Sequence, residues 1–217
     1  MPSTRYLHDP EALKDRARGI KAVLFDWDGV FNDGWKDLDG GSPFSEVGSM
    51  GVNMLRFALW LRHRANPPAA ILTGQVNPIA GKFVRRERFQ AMYMGYINKP
   101  DAFADFLRAN ALQPREVAFF FDDAIDLSVA RQCGLRILIG RRGGERFTDH
   151  VVQRGDADMV TACSGGENGL REGCEAVIDL LGNFAEVFDH RAAYSETYQH
   201  YLRERNTTVP IVRNGAR

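Results

Sequence analysis

Asp26 and Asp28 stand two residues apart at the end of an apolar run, in Phe25-Asp26-Trp27-Asp28-Gly29-Val30. Side chains alternate along an extended segment, so two carboxylates at this spacing can turn to the same side and act on one group. One can attack while the other moves protons. Three more pieces follow in order: Thr73-Gly74 after Leu72, then Asn98-Lys99-Pro100, then Asp122-Asp123 with Asp126 beyond. Together they offer what phosphoryl transfer requires. A carboxylate can take the phosphorus, a hydroxyl and an ammonium can answer the charge developing on its oxygens, and further carboxylates suit a hard divalent cation, Mg²⁺. Taken singly, each piece has a plain structural reading. Thr73-Gly74 can be a turn, Lys99 a solvated lysine beside a helix start, and Asp122-Asp123 a helix cap. Of the three Asp-x-Asp pairs, Asp26/Asp28, Asp37/Asp39 and Asp156/Asp158, only the first follows an apolar run and precedes a glycine.

Positioning these residues requires strands that end at one edge, and the chain supplies them. Short apolar runs alternate with amphipathic stretches, the pattern of a parallel sheet covered by helices, an α/β Rossmann-like fold. Strands are expected over 22–25, 69–72, 91–96, 117–121, 136–139 and 157–161. Helices are expected over 52–64, 78–88, 100–109 and 126–133, and over 169–181 running on through Gly182 into 184–205. In an open parallel sheet, ligands sit beyond the carboxyl ends of the strands, where Asp26, Thr73, Lys99 and Asp122 fall. Asp9-Pro10-Glu11 opens a short leader helix that Gly19 ends. Asp39-Gly40, between short extended runs, signals a small β-hairpin flap over 35–47. The stripe Phe184, Val187, Phe188, Tyr194, Tyr198, Tyr201 and Leu202 reads as packing surface.

At 217 residues, 44% hydrophobic, 26% charged and 11% aromatic, the chain has the composition of one ordinary globular domain with appendages. The expected organisation is a leader helix (1–19), a core (20–182) and a C-terminal helical tail (183–217). Lys plus Arg and Asp plus Glu are both 28, so no net field attracts nucleic acid or an anionic membrane, and neither is expected as a partner. The cysteines, Cys133, Cys163 and Cys174, match neither a disulfide framework nor a zinc site. With no signal-like segment and no spanning apolar run, a cytoplasmic protein is expected.

The four motifs in this order resemble those of the haloacid dehalogenase (HAD) superfamily. The stretches Asp28-Gly29-Val30-Phe31-Asn32-Asp33-Gly34 and Gly165-Gly166-Glu167-Asn168-Gly169-Leu170-Arg171-Glu172 look like its sugar-phosphate phosphatases, typified by 3-deoxy-D-manno-octulosonate (KDO) 8-phosphate phosphatase. The resemblance covers roughly residues 20–181. It implies a Mg²⁺-dependent phosphomonoesterase working through an aspartyl phosphate, with Asp26 as nucleophile and Asp28 as acid and base. Thr73, Gly74 and Lys99 would bind the phosphate. Asp26, the Asp28 backbone carbonyl and Asp122 would hold the metal, with Asp123 and Asp126 as supporting carboxylates or a substitute ligand. A small phosphorylated sugar or sugar acid would be the substrate. A non-catalytic sugar-phosphate binding protein that has kept the core fits the same motifs.

The gaps between motifs, 45 positions from Asp28 to Thr73, 26 to Lys99 and 23 to Asp122, leave no room for a cap domain of even ~50 residues. An uncapped site needs a wall against water, and the resemblance implies that neighbouring chains of a homotetramer provide it. The hairpin would be the contact, and Arg171 and Glu172 would act on substrate in trans. Some positions depart from the family. Gln75 stands where Arg is usual, and Val47-Gly48-Ser49-Met50 aligns with a Val-Arg-Asp-Gly stretch. Glu167 stands where Arg is common, and Phe121 replaces a Gly before the acidic pair. The catalytic set is intact, but residues expected to read the sugar are altered.

Overall fold

Strands β2 (Ala22–Phe25) and β5 (Val117–Phe121) lie side by side in the middle of the sheet, and every residue of both is buried. Val23 and Phe25 of the first, with Ala118 and Phe120 of the second, join the core on one face. Ala22 and Leu24, with Val117, Phe119 and Phe121, join the core on the other. A strand covered on both sides needs apolar residues throughout, and this is why the runs do not alternate with polar ones. Phe121 stacks on Phe119 with ring centroids 5.7 Å apart, so this bulky residue is core.

The computed structural model describes residues 3–215. The remaining strands are β1 (Arg5–Tyr6), β3 (Ala69–Thr73), β4 (Ala91–Met94), β6 (Leu135–Leu138), β7 (Met159–Val160) and β8 (Ile211–Asn214). One sheet runs β1-β7-β6-β5-β2-β3-β4-β8, parallel except for β1. Helices α1 (Pro10–Arg18), α2 (Glu46–His63) and α3 (Pro78–Glu87) cover one face. Helices α4 (Lys99–Ala109), α5 (Leu127–Ala130) and α6 (Glu145–Gln153) cover the other. Helix α7 (Gly169–Leu181) returns to the first face, followed by α8 (Phe184–Ala192) and α9 (Glu196–Asn206). Helix α2 is buried without a break from Val52 to Leu61, because α7, α8 and α9 pack on it as well.

The leader helix is as expected, with Asp9 accepting from the Ala12 N–H at 3.1 Å and Gly19 at its end. Several other expectations are corrected. No strand forms over 35–47: the Asp37 carboxylate accepts from the N–H groups of Asp39 at 3.0 Å and Gly41 at 2.6 Å. A side chain that takes backbone donors in this way closes a local turn and leaves no ladder for a hairpin. The segment is a loop, and α2 begins at Glu46, capped by Ser45, rather than at 52. The long helix expected from 169 to 205 is three helices. Gly182 takes a left-handed φ of 79° and ends α7, and Tyr194 at φ 46° separates α8 from α9. The stripe on these helices is packing surface in part: Val187, Tyr198 and Tyr201 join the core and Phe188 and Leu202 pack against it, whereas Phe184 and Tyr194 are exposed. The tail then ends in strand β8. Strand β4 stops at Met94, β7 is only two residues, and the helix expected from 126 begins as a 3₁₀ turn at Ala124–Asp126. Among the described residues no helix is long and apolar enough to cross a membrane.

Candidate active site

The carboxyl ends of β2, β3 and β5 converge on a cavity of about 330 Å³. Asp26 follows β2 directly, its N–H donating to the Phe120 carbonyl at 2.9 Å, so the central strand pair sets its position. Thr73 closes β3, and its hydroxyl oxygen accepts from the Gln75 N–H at 3.3 Å. Asp122 is the first residue after β5, and Lys99 opens α4. Asp123 caps the 3₁₀ turn by accepting from the Ala124 N–H at 2.7 Å, while Asp126 Oδ2 accepts from the Asp123 N–H at 3.2 Å. Lys99 Nζ donates to Asp26 Oδ1 at 2.7 Å and to Asp126 Oδ1 at 2.5 Å. The cavity is lined by Asp26, Asp28, Thr73, Gly74, Asp122 and Asp123, together with Gln75 and Arg141.

Charge is unbalanced here. Asp26, Asp122 and Asp126 each place an oxygen within 4.8 Å of the others, and all three are buried. Burial, then the Asp26 charge, pushes the Asp122 carboxyl up to about 9. The same two causes raise Asp126 against the pull of Lys99. Burial disfavours the Lys99 ammonium, but Asp26 and Asp126 outweigh it and keep it protonated. Asp122 Oδ2 accepts from Arg141, whereas its buried Oδ1 has no partner. An orphaned carboxylate oxygen beside two other acids is a donor set that fits a hard divalent cation. Gly29, at φ 88°, makes room for the Asp122–Arg141 pair: a side chain there would place its Cβ 2.0 Å from Asp122 Oδ2.

Asp28 is held by residues the sequence did not single out. Its Oδ1 accepts from the Ser42 hydroxyl at 2.5 Å and its Oδ2 pairs with Lys36 at 2.5 Å. Ser42 in turn accepts from Trp27 Nε1 at 2.9 Å and Asn77 Nδ2 at 2.7 Å. Ser42, Lys36, Asn77 and Arg141 were missed because they lie in loops or at a helix cap, where polar residues carry no periodic signal; Asn77-Pro78 marked only a helix start.

Arg171 and Glu172 are not in the cavity of their own chain. Arg171 pairs with Glu175 at 2.5 Å and lies over the Phe188 ring, 5.5 Å from its centroid. Glu172 accepts from the N–H groups of Ala162 at 2.9 Å and Cys163 at 2.8 Å and from the Thr4 hydroxyl at 2.8 Å. Any reach toward another chain requires leaving these partners. Of the altered positions, Gln75 faces the cavity, Ser49 accepts from Arg86 Nη2 at 2.7 Å, and Glu167 pairs with Arg142 at 3.0 Å.

No protein-family model matches the chain. Among curated proteins, KDO 8-phosphate phosphatase of Salmonella typhi is 29% identical over 175 residues, covering 79% of this chain and 86% of that protein. The Haemophilus influenzae enzyme of the same name is 23% identical over 181 residues, covering 82% and 92%. Among solved structures, a probable phosphatase from Pseudomonas syringae superposes with a TM-score of 0.68 at 26% identity, covering 85% of this chain and 98% of the other. The KDO 8-phosphate phosphatase of Moraxella catarrhalis, solved with magnesium, phosphate and KDO, gives a TM-score of 0.68 at 22% identity, covering 87% and 100%.

Proposed function

We propose that the chain is a capless phosphatase of the haloacid dehalogenase superfamily, a reading supported by its likeness to KDO 8-phosphate phosphatases and to a hydrolase structure of that superfamily, and that it is a Mg²⁺-dependent phosphomonoesterase. Its substrate is a phosphorylated sugar or sugar acid of the KDO 8-phosphate kind. The observation that carries this reading is the Lys99 bridge between Asp26 and Asp126 beside the unpartnered Asp122 oxygen. It combines a carboxylate, a fixed positive charge and an acidic cluster short of cations.

Lys99 holds Asp26 Oδ1, which leaves Oδ2 to attack phosphorus. As the P–O bond to the sugar breaks, the departing oxygen takes a proton through Asp28, whose Oδ2 must leave its Lys36 partner to carry one, and the phosphoryl group rests on Asp26. Asp28 then takes a proton from water, which attacks the same phosphorus and releases phosphate and free Asp26. Ser42 and Lys36 keep Asp28 aimed at that line. Thr73, Gly74 and Lys99 bind the phosphoryl oxygens. Asp26, the Asp28 carbonyl and Asp122 hold Mg²⁺, which supplies charge to draw an anionic ester toward a carboxylate. Asp126 positions Lys99, and Asp123 fixes the turn that carries Asp126. A homotetramer, with Arg171 and Glu172 turned toward a neighbour's substrate, would wall a site that has no cap.

Phosphate release from KDO 8-phosphate and from p-nitrophenyl phosphate, measured with Mg²⁺ and with EDTA, tests the reading. Release of phosphate with Mg²⁺ and its loss in EDTA are expected. No release from either ester with Mg²⁺ present overturns it.

A further inference from the structure

Resting on the phosphatase reading, we propose that Arg141, flanked by Arg142, binds a carboxylate on the leaving-group side of the substrate, in cis. It is thereby the residue that selects acidic sugars.

Five carboxylates line the catalytic cavity, those of Asp26, Asp28, Asp33, Asp122 and Asp123, and among the described residues Arg141 is its one cationic lining residue. Lys99 is 1% exposed and enclosed by Asp26 and Asp126. Lys36 is likewise taken up by Asp28 at 2.5 Å, so a second negative charge on the substrate meets its least-engaged cation at Arg141. The positions where the family resemblance leads one to expect a cation hold Gln75, Gly48 and Glu167 instead.

Geometry agrees. Beside the catalytic cavity lies a second of about 340 Å³, bounded by Asn32, Gly140, Arg142, Ser164 and Glu167. Asp33 and Arg141 line both cavities and form the divide between them. Asp33 is fixed, its Oδ1 accepting from Ser164 Oγ at 3.3 Å and the Gly166 N–H at 3.0 Å. Arg141 is the movable part. It sits in the loop after β6, followed by Arg142-Gly143-Gly144, and its side chain is 46% exposed. Only Nη2 is engaged, by Asp122; Nε and Nη1 have no partner among the described residues. Arg142 makes one ion pair among the described residues, with Glu167.

A planar guanidinium with free donors matches a carboxylate bidentately, and a lysine or amide does not. A guanidinium and a divalent cation also compete for the same Asp122 carboxylate. A cation held at the unpartnered Oδ1 would draw on the same carboxylate charge that holds Arg141 through Oδ2, and would so loosen that hold toward the second cavity. The substrate then lies across the divide, phosphate over Asp26 and carboxylate between Arg141 and Arg142.

The test compares wild type, Arg141→Gln, Arg141→Lys and Arg142→Gln, with Mg²⁺, on three esters. KDO 8-phosphate carries a carboxylate, whereas glucose 6-phosphate and p-nitrophenyl phosphate do not. Wild type should favour KDO 8-phosphate over glucose 6-phosphate in kcat/KM. Arg141→Gln should lower that ratio by about tenfold or more, through KM for the acid, with Arg141→Lys intermediate and Arg142→Gln losing about threefold. Calorimetry of free KDO with the Mg²⁺-loaded proteins should show weaker binding to Arg141→Gln by a similar factor. An unchanged ratio, equal affinity for free KDO, or a wild type without preference for the acid overturns the proposal. So does an equal loss on all three esters, since Arg141 would then be acting at the phosphate or the metal. A wild type that hydrolyses none of them removes the phosphatase reading and the inference together; hydrolysis with an unaltered ratio removes the inference alone.

Discussion

Asp122 and Asp158 are the same residue type, both buried, at opposite ends of one sheet. Asp122 follows β5 at the carboxyl end, and Asp158 precedes β7 at the amino end. Asp158 accepts from Arg16 Nη1 at 2.8 Å and Nη2 at 2.7 Å, and from the Arg136 N–H at 2.8 Å, Nε at 3.0 Å and Nη2 at 2.6 Å. Burial alone would raise its pKa, but the hydrogen bonds from Arg136 and Arg16 outweigh burial and hold the carboxyl below its ordinary 3.8. Asp122 has an arginine on one oxygen and nothing on the other. A buried charge with a full set of donors fastens the fold; one left short is a demand that a ligand fills. This contrast separates the amino end of the sheet, where the buried charge is fully paired, from the carboxyl end, where the proposed site leaves one short of partners.

Three substitutions test that separation. The largest effect is expected from Asp26→Asn, which should fold normally yet lower phosphate release more than ~10³-fold, because an amide neither attacks phosphorus nor carries a ligand's charge. Turnover above a tenth of the parent would break the assignment of chemistry to the carboxyl end. Asp158→Asn should cost about 3 kcal/mol of unfolding free energy in urea titrations, since two guanidinia lose their shared counter-charge. That stability belongs to the ionised form. Because the folded pKa is depressed, the contribution is present above the ordinary aspartate range and lost as pH falls through the folded value, so the gap between parent and variant should close in acid. A gap that stays open in acid would mean the side chain contributes by packing. Asp122→Asn should have the smallest effect on stability and the opposite sign, raising that of the metal-free protein by about 1 kcal/mol while abolishing the rise in Tm on adding Mg²⁺. With a folded pKa raised to about 9, the parent's Asp122 contribution is present at low pH and lost as pH climbs toward that value, so the gain should appear on the alkaline side. A destabilised Asp122→Asn would show that Arg141 alone balances the charge.

What the sequence made legible follows from which residues were constrained locally. β2 and β5 had to be apolar at every position, and the residues just past them stood out as charged, so Asp26 and Asp122 were found with their strands. Thr73 and Lys99 were found by position in the same way. Strand β8 was missed because all four of its residues are exposed and its partner β4 is far away in the chain. β1 is two residues long and exists through its pairing with β7. Arg141 was missed because Arg-Arg-Gly-Gly after a strand looks like a solvated turn, and only the folded chain brings it to Asp122. The hairpin expected over 35–47 failed on one side chain, Asp37, whose capture of backbone donors is invisible to a pattern of alternating polarity.

Strand β8 has a further consequence, for how these molecules behave in a crowd. Without it, β4 would be the outermost strand on its side, with the buried Ala91, Met92 and Tyr93 beside a row of unpaired backbone groups, a template on which another chain could add itself. The tail covers that row with a strand whose own residues include Arg213 and Asn214, and β1 blunts the opposite edge with a strand too short to recruit a neighbour. Strands β1 and β8 thus act as selvedges on the sheet, and the edges they leave are two and four residues long.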